Sequence, residues 1–264
     1  MYKKGIDVSQ WQGAIDWQKV KSSGVTFAMI RAGYGQNNID KQFVRNISEC
    51  NRLGIPCGIY WFSYATNAAM AKKEAQYALA AVKPYHLDYP VAFDFEYDSV
   101  NYASKYGTTI TKPLATSIAV AFLDETEAGG YYGMLYTNQD YLNRYFDASL
   151  RDRYDIWLAS WYSSPNFDKP PMSCGIWQYA SDGVCSGISG NVDLDVAYKD
   201  YPAIMEQTGL NRHNEPEKTP YEEELEKATS WAKEAGIFDG SRLDDPAKRS
   251  EVILMLYRAL NSEK

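Results

Sequence analysis

The sequence predicts an α/β fold: an irregular eight-stranded TIM-like barrel, (β/α)5β3, followed by a small C-terminal helical hairpin. Three observations lead there. Short β-type runs alternate five times with helical stretches, as in βα units on a parallel sheet. Three further strand-like runs follow, joined only by loops rich in Ser, Pro, Asp and Gly, so the last helices are missing. Eight strands in about 200 residues is short for a complete (β/α)8 barrel, which typically needs ~250. A doubly wound open sheet is the competing arrangement, but no GxGxxG fingerprint follows the first strand.

Residues 5–9 read as the first strand and 17–22 as a short helix. The second strand, 26–32, leads into a helix over 41–53, where Phe43, Ile47 and Cys50 recur at helical spacing. The third strand, 57–62, precedes an Ala-rich helix over 67–82. Strand four, 90–96, is followed by a helix over 113–127, with Thr111 in its cap region and Gly129-Gly130 ending it. Strand five, 131–137, leads to a helix over 139–145, after which helices are expected to stop. Residues 156–161, 175–179 and 192–196 complete the eight strands.

Beyond Tyr201 the composition changes. We expect a barrel domain over 1–202, a polar linker over 203–219 and a two-helix module over 220–264. Thr219-Pro220-Tyr221-Glu222 forms a capping box with Pro at the first helical position. Leu225, Ala228 and Trp231 share one helical stripe; Val252, Ile253, Leu256 and Leu260 share another. About 45 residues in two helices cannot bury a full core alone. Each large apolar side chain is worth roughly 1.5–3 kcal/mol when fully buried. The module is therefore expected to make a homo-oligomer through residues 221–260, or else to dock on its own barrel.

Composition excludes several function classes. With a net charge of −7 and no basic stripe, nucleic acid is not an expected partner. No run approaches the ~20 apolar residues of a membrane span. Two His and four Cys without a CxxC pair make a zinc site unexpected, and no metal or cofactor is called for. Cys174 and Cys185 bracket a candidate strand and its following loop, which leaves a disulfide between them open. The opening Met-Tyr-Lys-Lys-Gly-Ile-Asp-Val shows no secretory h-region, so synthesis in the cytoplasm without a signal peptide is expected. The 22 Tyr and 7 Trp, six of the Trp before residue 200, serve equally as core filler or as flat stacking faces.

The chemistry concentrates in Pro90-Val91-Ala92-Phe93-Asp94-Phe95-Glu96-Tyr97. Side chains alternate across a strand, so Asp94 and Glu96 project to one side. They stand near a strand's C-terminal end, the catalytic face of a barrel. Close like charges raise one carboxyl pKa, leaving one acid and one carboxylate, as glycosidic cleavage requires. A metal site or a solvated strand end is the bland alternative. Asp7 ends the first strand and Asp193, in Gly190-Asn191-Val192-Asp193-Leu194-Asp195, lies at the eighth, its neighbour in a closed barrel. Four acids then converge on one mouth.

These segments, together with Gly58-Ile59-Tyr60-Trp61-Phe62, Tyr136-Thr137-Asn138 and Trp177-Gln178-Tyr179, resemble the Chalaropsis-type lysozymes, glycoside hydrolase family 25, over residues 5–198. The resemblance implies an irregular eight-strand barrel and cleavage of the β-1,4 bond between N-acetylmuramic acid and N-acetylglucosamine in bacterial peptidoglycan, by an endolysin or autolysin. It implies Glu96 as general acid/base and Asp94 as its partner, orienting the 2-acetamido group or stabilising positive charge. Asp7 and Asp193 match the flanking acids. Trp61 departs from the His common at that position; by strand parity it faces outward. Arg31, Tyr60, Phe62, Tyr136, Trp161 and Gln178 are candidates to bind substrate. For Arg31, pairing with a neighbouring acid is the equal alternative.

The tail, around Trp231–Gly240 and Arg242-Leu243-Asp244-Asp245-Pro246, resembles part of one S-layer-homology repeat. A chitinase-type barrel is the runner-up enzyme, but its longer acid motif would need acids where Tyr89 and Ala92 stand. A non-catalytic wall-binding protein is the reading outside enzymes, and the intact acid set argues against it.

Overall fold

The computed structural model describes residues 2–212 together with Ala228, Thr229 and Trp231. Eight strands close the barrel: β1 (Lys3–Val8), β2 (Phe27–Tyr34), β4 (Cys57–Phe62), β5 (Val91–Asp94), β6 (Gly133–Asn138), β7 (Asp155–Ala159), β8 (Ile176–Gly183) and β9 (Val192–Ala197). They pair in that order, and β1 bonds both β2 and β9. The extra β3 (Asn38–Ile39) is a two-residue hairpin partner of β2 that the sequence did not announce. Among the eight barrel strands the pairings from β1 through β8 are parallel, whereas β9 runs antiparallel to both neighbours. No helix separates β8 from β9, and so short a connection can only join antiparallel strands. As a result β9 starts at the mouth where the other strands end.

The five expected crossover helices are present as α1 (Trp17–Ser22), α2 (Phe43–Leu53), α3 (Ala68–Val82), α5 (Lys112–Ala128) and α6 (Gln139–Tyr145). Three more correct the expectation. Tyr97–Lys105 forms α4 between strand four and the long helix, with Ser99 and Ala103 buried. Its Ser, Asn and Tyr content is poor in helix formers, which hid it. Helices also do not stop at residue 145: α7 (Ala148–Arg153) and α8 (Tyr201–Thr208) follow.

Two apolar cores result. The outer one lies between strands and helices; the inner one fills the barrel with Phe27, Met29, Tyr89, Met134, Trp157 and Ile176. Trp61 belongs to the outer core, as strand parity required: it is fully buried, donates to Gly35 O at 3.1 Å and stacks on Tyr77. Its indole covers Gly33 so closely that a Cβ there would sit 2.6 Å from the ring.

The lower end is closed by α8, correcting the expected linker start at residue 203. Tyr201 and Met205 are buried in the inner core, and Tyr201 OH donates to Asp155 at 2.9 Å. Beyond α8, Asn211 adopts the left-handed region that Asn tolerates (φ 55°). Its amide donates to Tyr89 O at 2.9 Å and Leu87 O at 3.3 Å, and its Oδ1 accepts from Tyr132 N at 2.8 Å. The barrel unit runs to Glu215. A chain cut at Tyr201 is therefore expected to lose the barrel floor, whereas one ending at Glu215 keeps it. Asn211→Ala strands three buried backbone groups, each costing ~1–3 kcal/mol when unpaired. A thermal melt should show Tm lower by at least ~6 °C; an unchanged Tm would remove Asn211 from the floor.

The four cysteines are free thiols, which corrects the open Cys174–Cys185 pairing. Cys185 Sγ lies 3.6 Å from Ser23 Oγ at the end of α1. No helix among the described residues is long and apolar enough to cross a membrane. Apart from Ala228, Thr229 and Trp231, the rest of the expected linker, the 220–264 module with its stripes, and the segment resembling an S-layer-homology repeat lie outside the described residues.

Candidate active site

Strand β5 sits between β4 and β6, and its last residue, Asp94, pairs with Phe62 on one side and Tyr136 on the other. Phe93 and Phe95 point outward onto Phe122 and Phe146 of the outer core. Ala92 and Asp94 accordingly point in. The strand ends at Asp94, two residues earlier than expected, but Glu96 stays extended (φ −134°, ψ −168°). Alternation therefore carries it to the same side as Asp94. Its backbone N–H donates to Ser99 Oγ at 3.1 Å, starting α4 and turning the chain away. Asp94 is buried at the strand end; Glu96 stands partly open above it.

The register of β1 with β9 places Asp7 opposite Asp193 and Gly5 opposite Asp195. Opposed residues share a sheet face, so all three acids look inward. A cavity of about 270 Å³ opens at this mouth, lined by Asp7, Asp94, Glu96, Asp193, Arg31, Tyr60, Phe62, Tyr136, Trp161 and Gln178. Every sequence-picked candidate thus faces one space. Ser9, Trp11, Gln12, Trp157 and Ser181 line it too and were not singled out from sequence. Trp11 is 77% exposed and Trp161 61%, a costly display of indole beside a polar cavity. The turn under Trp11 is pinned: Ser9 N donates to Gln12 Oε1 at 2.9 Å and Gln10 N to Asp40 Oδ2 at 3.0 Å. A second cavity of about 250 Å³ shares Glu96, Tyr136 and Trp161 and adds Tyr97, Asn138 and Ser160. Glu96 stands between the two.

Arg31 makes the expected pairing with a neighbouring acid and also lines the cavity. Its guanidinium grips Asp40 (2.8 Å from Nε, 2.7 Å from the terminal nitrogen) while it lines the cavity. Tyr136 OH and Trp161 Nε1 both donate to Gln178 Oε1, at 3.1 and 3.0 Å, and Gln178 Nε2 donates to Asp7 Oδ2 at 2.7 Å. Burial pushes the Asp94 carboxyl well up; Glu96 beside it adds to this and Arg31 opposes it. Glu96 is raised by burial, which the neighbouring Tyr136 opposes and the Asp193 and Asp98 charges reinforce. Asp7 is raised by burial and by Asp195 and Asp193. Burial likewise lifts Asp193 to about 6 and Asp195 to about 8. Glu74, buried under Ser63 and Tyr64 outside the mouth, rises to about 7.

These raised values fix the sign of the pH dependence. The unfolded carboxyls titrate near ~4, so between there and pH 8 the folded chain binds more protons. Stability is full below the unfolded values and is lost as pH rises through about 6, 7 and 8. Melts should give a higher Tm at pH 5 than at pH 8. A higher Tm at pH 8 would mean these acids are ionised in the fold.

A closed barrel presenting buried, coupled carboxylates and open indole faces at its C-terminal mouth defines a glycoside hydrolase. Residues 6–188 match the model of glycosyl hydrolases family 25, and the chain belongs to that family. It is 30% identical over 198 residues to lysozyme M1 of Streptomyces globisporus, covering 72% of this chain and 66% of that protein. The modular autolysin LytC of Streptococcus pneumoniae superposes with a TM-score of 0.63 at 30% identity, over 75% of this chain and 47% of LytC. LytC has also been solved with a synthetic peptidoglycan ligand. A Streptomyces coelicolor lysozyme shares the fold with a TM-score of 0.63 at 24% identity, over 80% of this chain and 98% of that one. This chain spans just under two thirds of lysozyme M1 and about half of LytC.

Proposed function

We propose that the chain is a peptidoglycan hydrolase, a muramidase that cuts the β-1,4 bond following N-acetylmuramic acid, as endolysins and autolysins do. The observation that carries this is the position of Glu96 between two cavities, one rich in carboxylates and one mostly apolar. A sugar whose anomeric carbon gains positive charge belongs in the first, where Asp94, Asp7 and Asp193 face it. The leaving sugar belongs in the second, between Tyr97 and Trp161.

Glu96, protonated through burial, gives its proton to the glycosidic oxygen as the bond to the anomeric carbon breaks. Asp94 then orients the 2-acetamido group or steadies the developing charge. Glu96, now a carboxylate, takes a proton from the incoming water, whose oxygen bonds the anomeric carbon, and the acid is restored. No metal or cofactor enters this scheme. Self-association through residues 221–260 rests on the sequence stripes; a full-length monomer in light scattering at micromolar concentration removes it.

The direct test is clearing of purified peptidoglycan suspensions, with chitin as control and identification of the new reducing end. Clearing with N-acetylmuramic acid at that end is expected. A new N-acetylglucosamine end, or cleavage of chitin alone, would overturn the assignment.

A further inference from the structure

Asp40 stands between β3 and α2 with its side chain fully buried, and it does not line the mouth cavity. Its two oxygens nevertheless take four donors. Oδ1 accepts from Gln42 N at 2.9 Å, closing a local turn just ahead of α2. Such a turn needs only that one oxygen. Oδ2 is spent at longer range: it accepts from Gln10 N at 3.0 Å, from Arg31 Nε at 2.8 Å and from an Arg31 terminal nitrogen at 2.7 Å. The carboxylate is also fixed through its own backbone. The register of β2 against β4 slips between Arg31 and Gly33, and Ala32 O, on the residue without a β4 partner, accepts from Asp40 N at 3.0 Å.

Both long-range partners belong to the mouth. Arg31 is the one cation among the described residues that line it. Its guanidinium carbon lies 5.7 Å from the Tyr34 ring centre, and its other terminal nitrogen has no acceptor among the described residues. Gln10 precedes Trp11, whose indole is open to solvent, and Gln12 on the far side of Trp11 donates to Asn191 O at 3.3 Å. The turn is thus anchored at both ends. A guanidinium gripped through two nitrogens and an indole on a pinned turn lose little freedom when a sugar docks.

We infer that Asp40 is a positioning residue for substrate, holding Arg31 and the Trp11 turn in one frame so that a glycan meets a fixed donor and a fixed stacking face. Asp40 touches no substrate itself, since all four of its donors are protein groups. Without it, Arg31 and Trp11 remain at the mouth but lose their set geometry, so binding suffers more than chemistry at Glu96.

The effect on turnover rests on the muramidase reading; the frame does not. Asp40→Asn keeps the size of the side chain and removes its charge and one acceptor oxygen. On a soluble glycan fragment it is expected to raise KM at least about tenfold, with kcat within about threefold of wild type. In a chain already carrying Arg31→Ala and Trp11→Ala, adding Asp40→Asn should change kcat/KM by less than about twofold, because Asp40 has nothing left to position. An unmoved KM, a fall in kcat alone, or the full effect persisting in that background overturns the inference. A second measurement needs no turnover. By NMR on isotope-labelled protein, the Arg31 Nε–H and the Gln10 amide should exchange slowly with solvent, and Asp40→Asn should speed both. Rapid exchange of either group in wild type, or no change on substitution, also overturns it. If Asp40→Asn does not fold, the wild-type exchange rates and Arg31→Lys decide. Lysine keeps the charge but not the two-nitrogen grip, and should raise KM at least about tenfold; an unchanged KM would refute the frame. Slow exchange that is lost on substitution, in a chain that clears no wall, leaves Asp40 as assigned and removes the muramidase reading instead.

Discussion

Glu96→Gln is expected to leave the barrel folded and to cut peptidoglycan turnover by ~10²–10⁴-fold or more, since general acid catalysis alone contributes that much. The substitution keeps the shape of the side chain and removes the proton that the leaving oxygen needs. Because Glu96 is held above its ordinary pKa by burial, its neutral replacement costs the fold nothing at pH 8. Tm should be equal to or above that of wild type there. Circular dichroism, a melt and a turbidity assay on one preparation check both halves. Activity within tenfold of wild type would take the proton-donor role from Glu96.

The part of the site on β5 was legible because it needs only strand alternation. Asp94 and Glu96 are two apart, and the backbone stays extended past the formal strand end. The sequence also marked Asp7 and Asp193, but their meeting depends on strand direction. Asp193 is the second residue of β9; in an all-parallel barrel that position would lie at the floor. Only the antiparallel turn of β9, forced by the missing crossover helix, lifts it opposite Asp7. The same period of two placed Asp195 inward beside it, and its burial gives it a different environment from Asp193.

Features set by tertiary contacts were harder to read. The partner of Arg31, Asp40, arrives through the β2–β3 hairpin, whose two-residue strand has no periodicity to detect. Trp11 sits in a turn, where a large aromatic has no pattern to declare whether it is buried or displayed. The floor helix α8 did carry a signal, Asp200 as cap with Pro202 in the first turn and Tyr201 and Met205 four apart. The polar residues that follow outweighed it. Local chemistry was readable wherever backbone geometry is regular; contacts between distant loops were not.

Asp94→Asn is expected to impair turnover nearly as severely as the loss of Glu96, and it should also change the pH profile in a stated direction. Both carboxyls are buried and raised, and the Glu96 charge helps to raise Asp94; like-charge repulsion is mutual, so they titrate as a pair. Removing the Asp94 charge relieves the repulsion that helps hold a proton on Glu96. The Glu96 pKa then falls toward the ordinary range of ~4.3. Activity requires that proton, so the limb on which rate declines with rising pH should move to lower pH. Rates from pH 4 to 8 on one soluble glycan fragment, wild type against variant, measure it. A lowered rate with an unmoved alkaline limb would mean that Asp94 acts on the substrate alone; a limb moved to higher pH would mean that Asp94 is the group carrying the proton before substrate arrives.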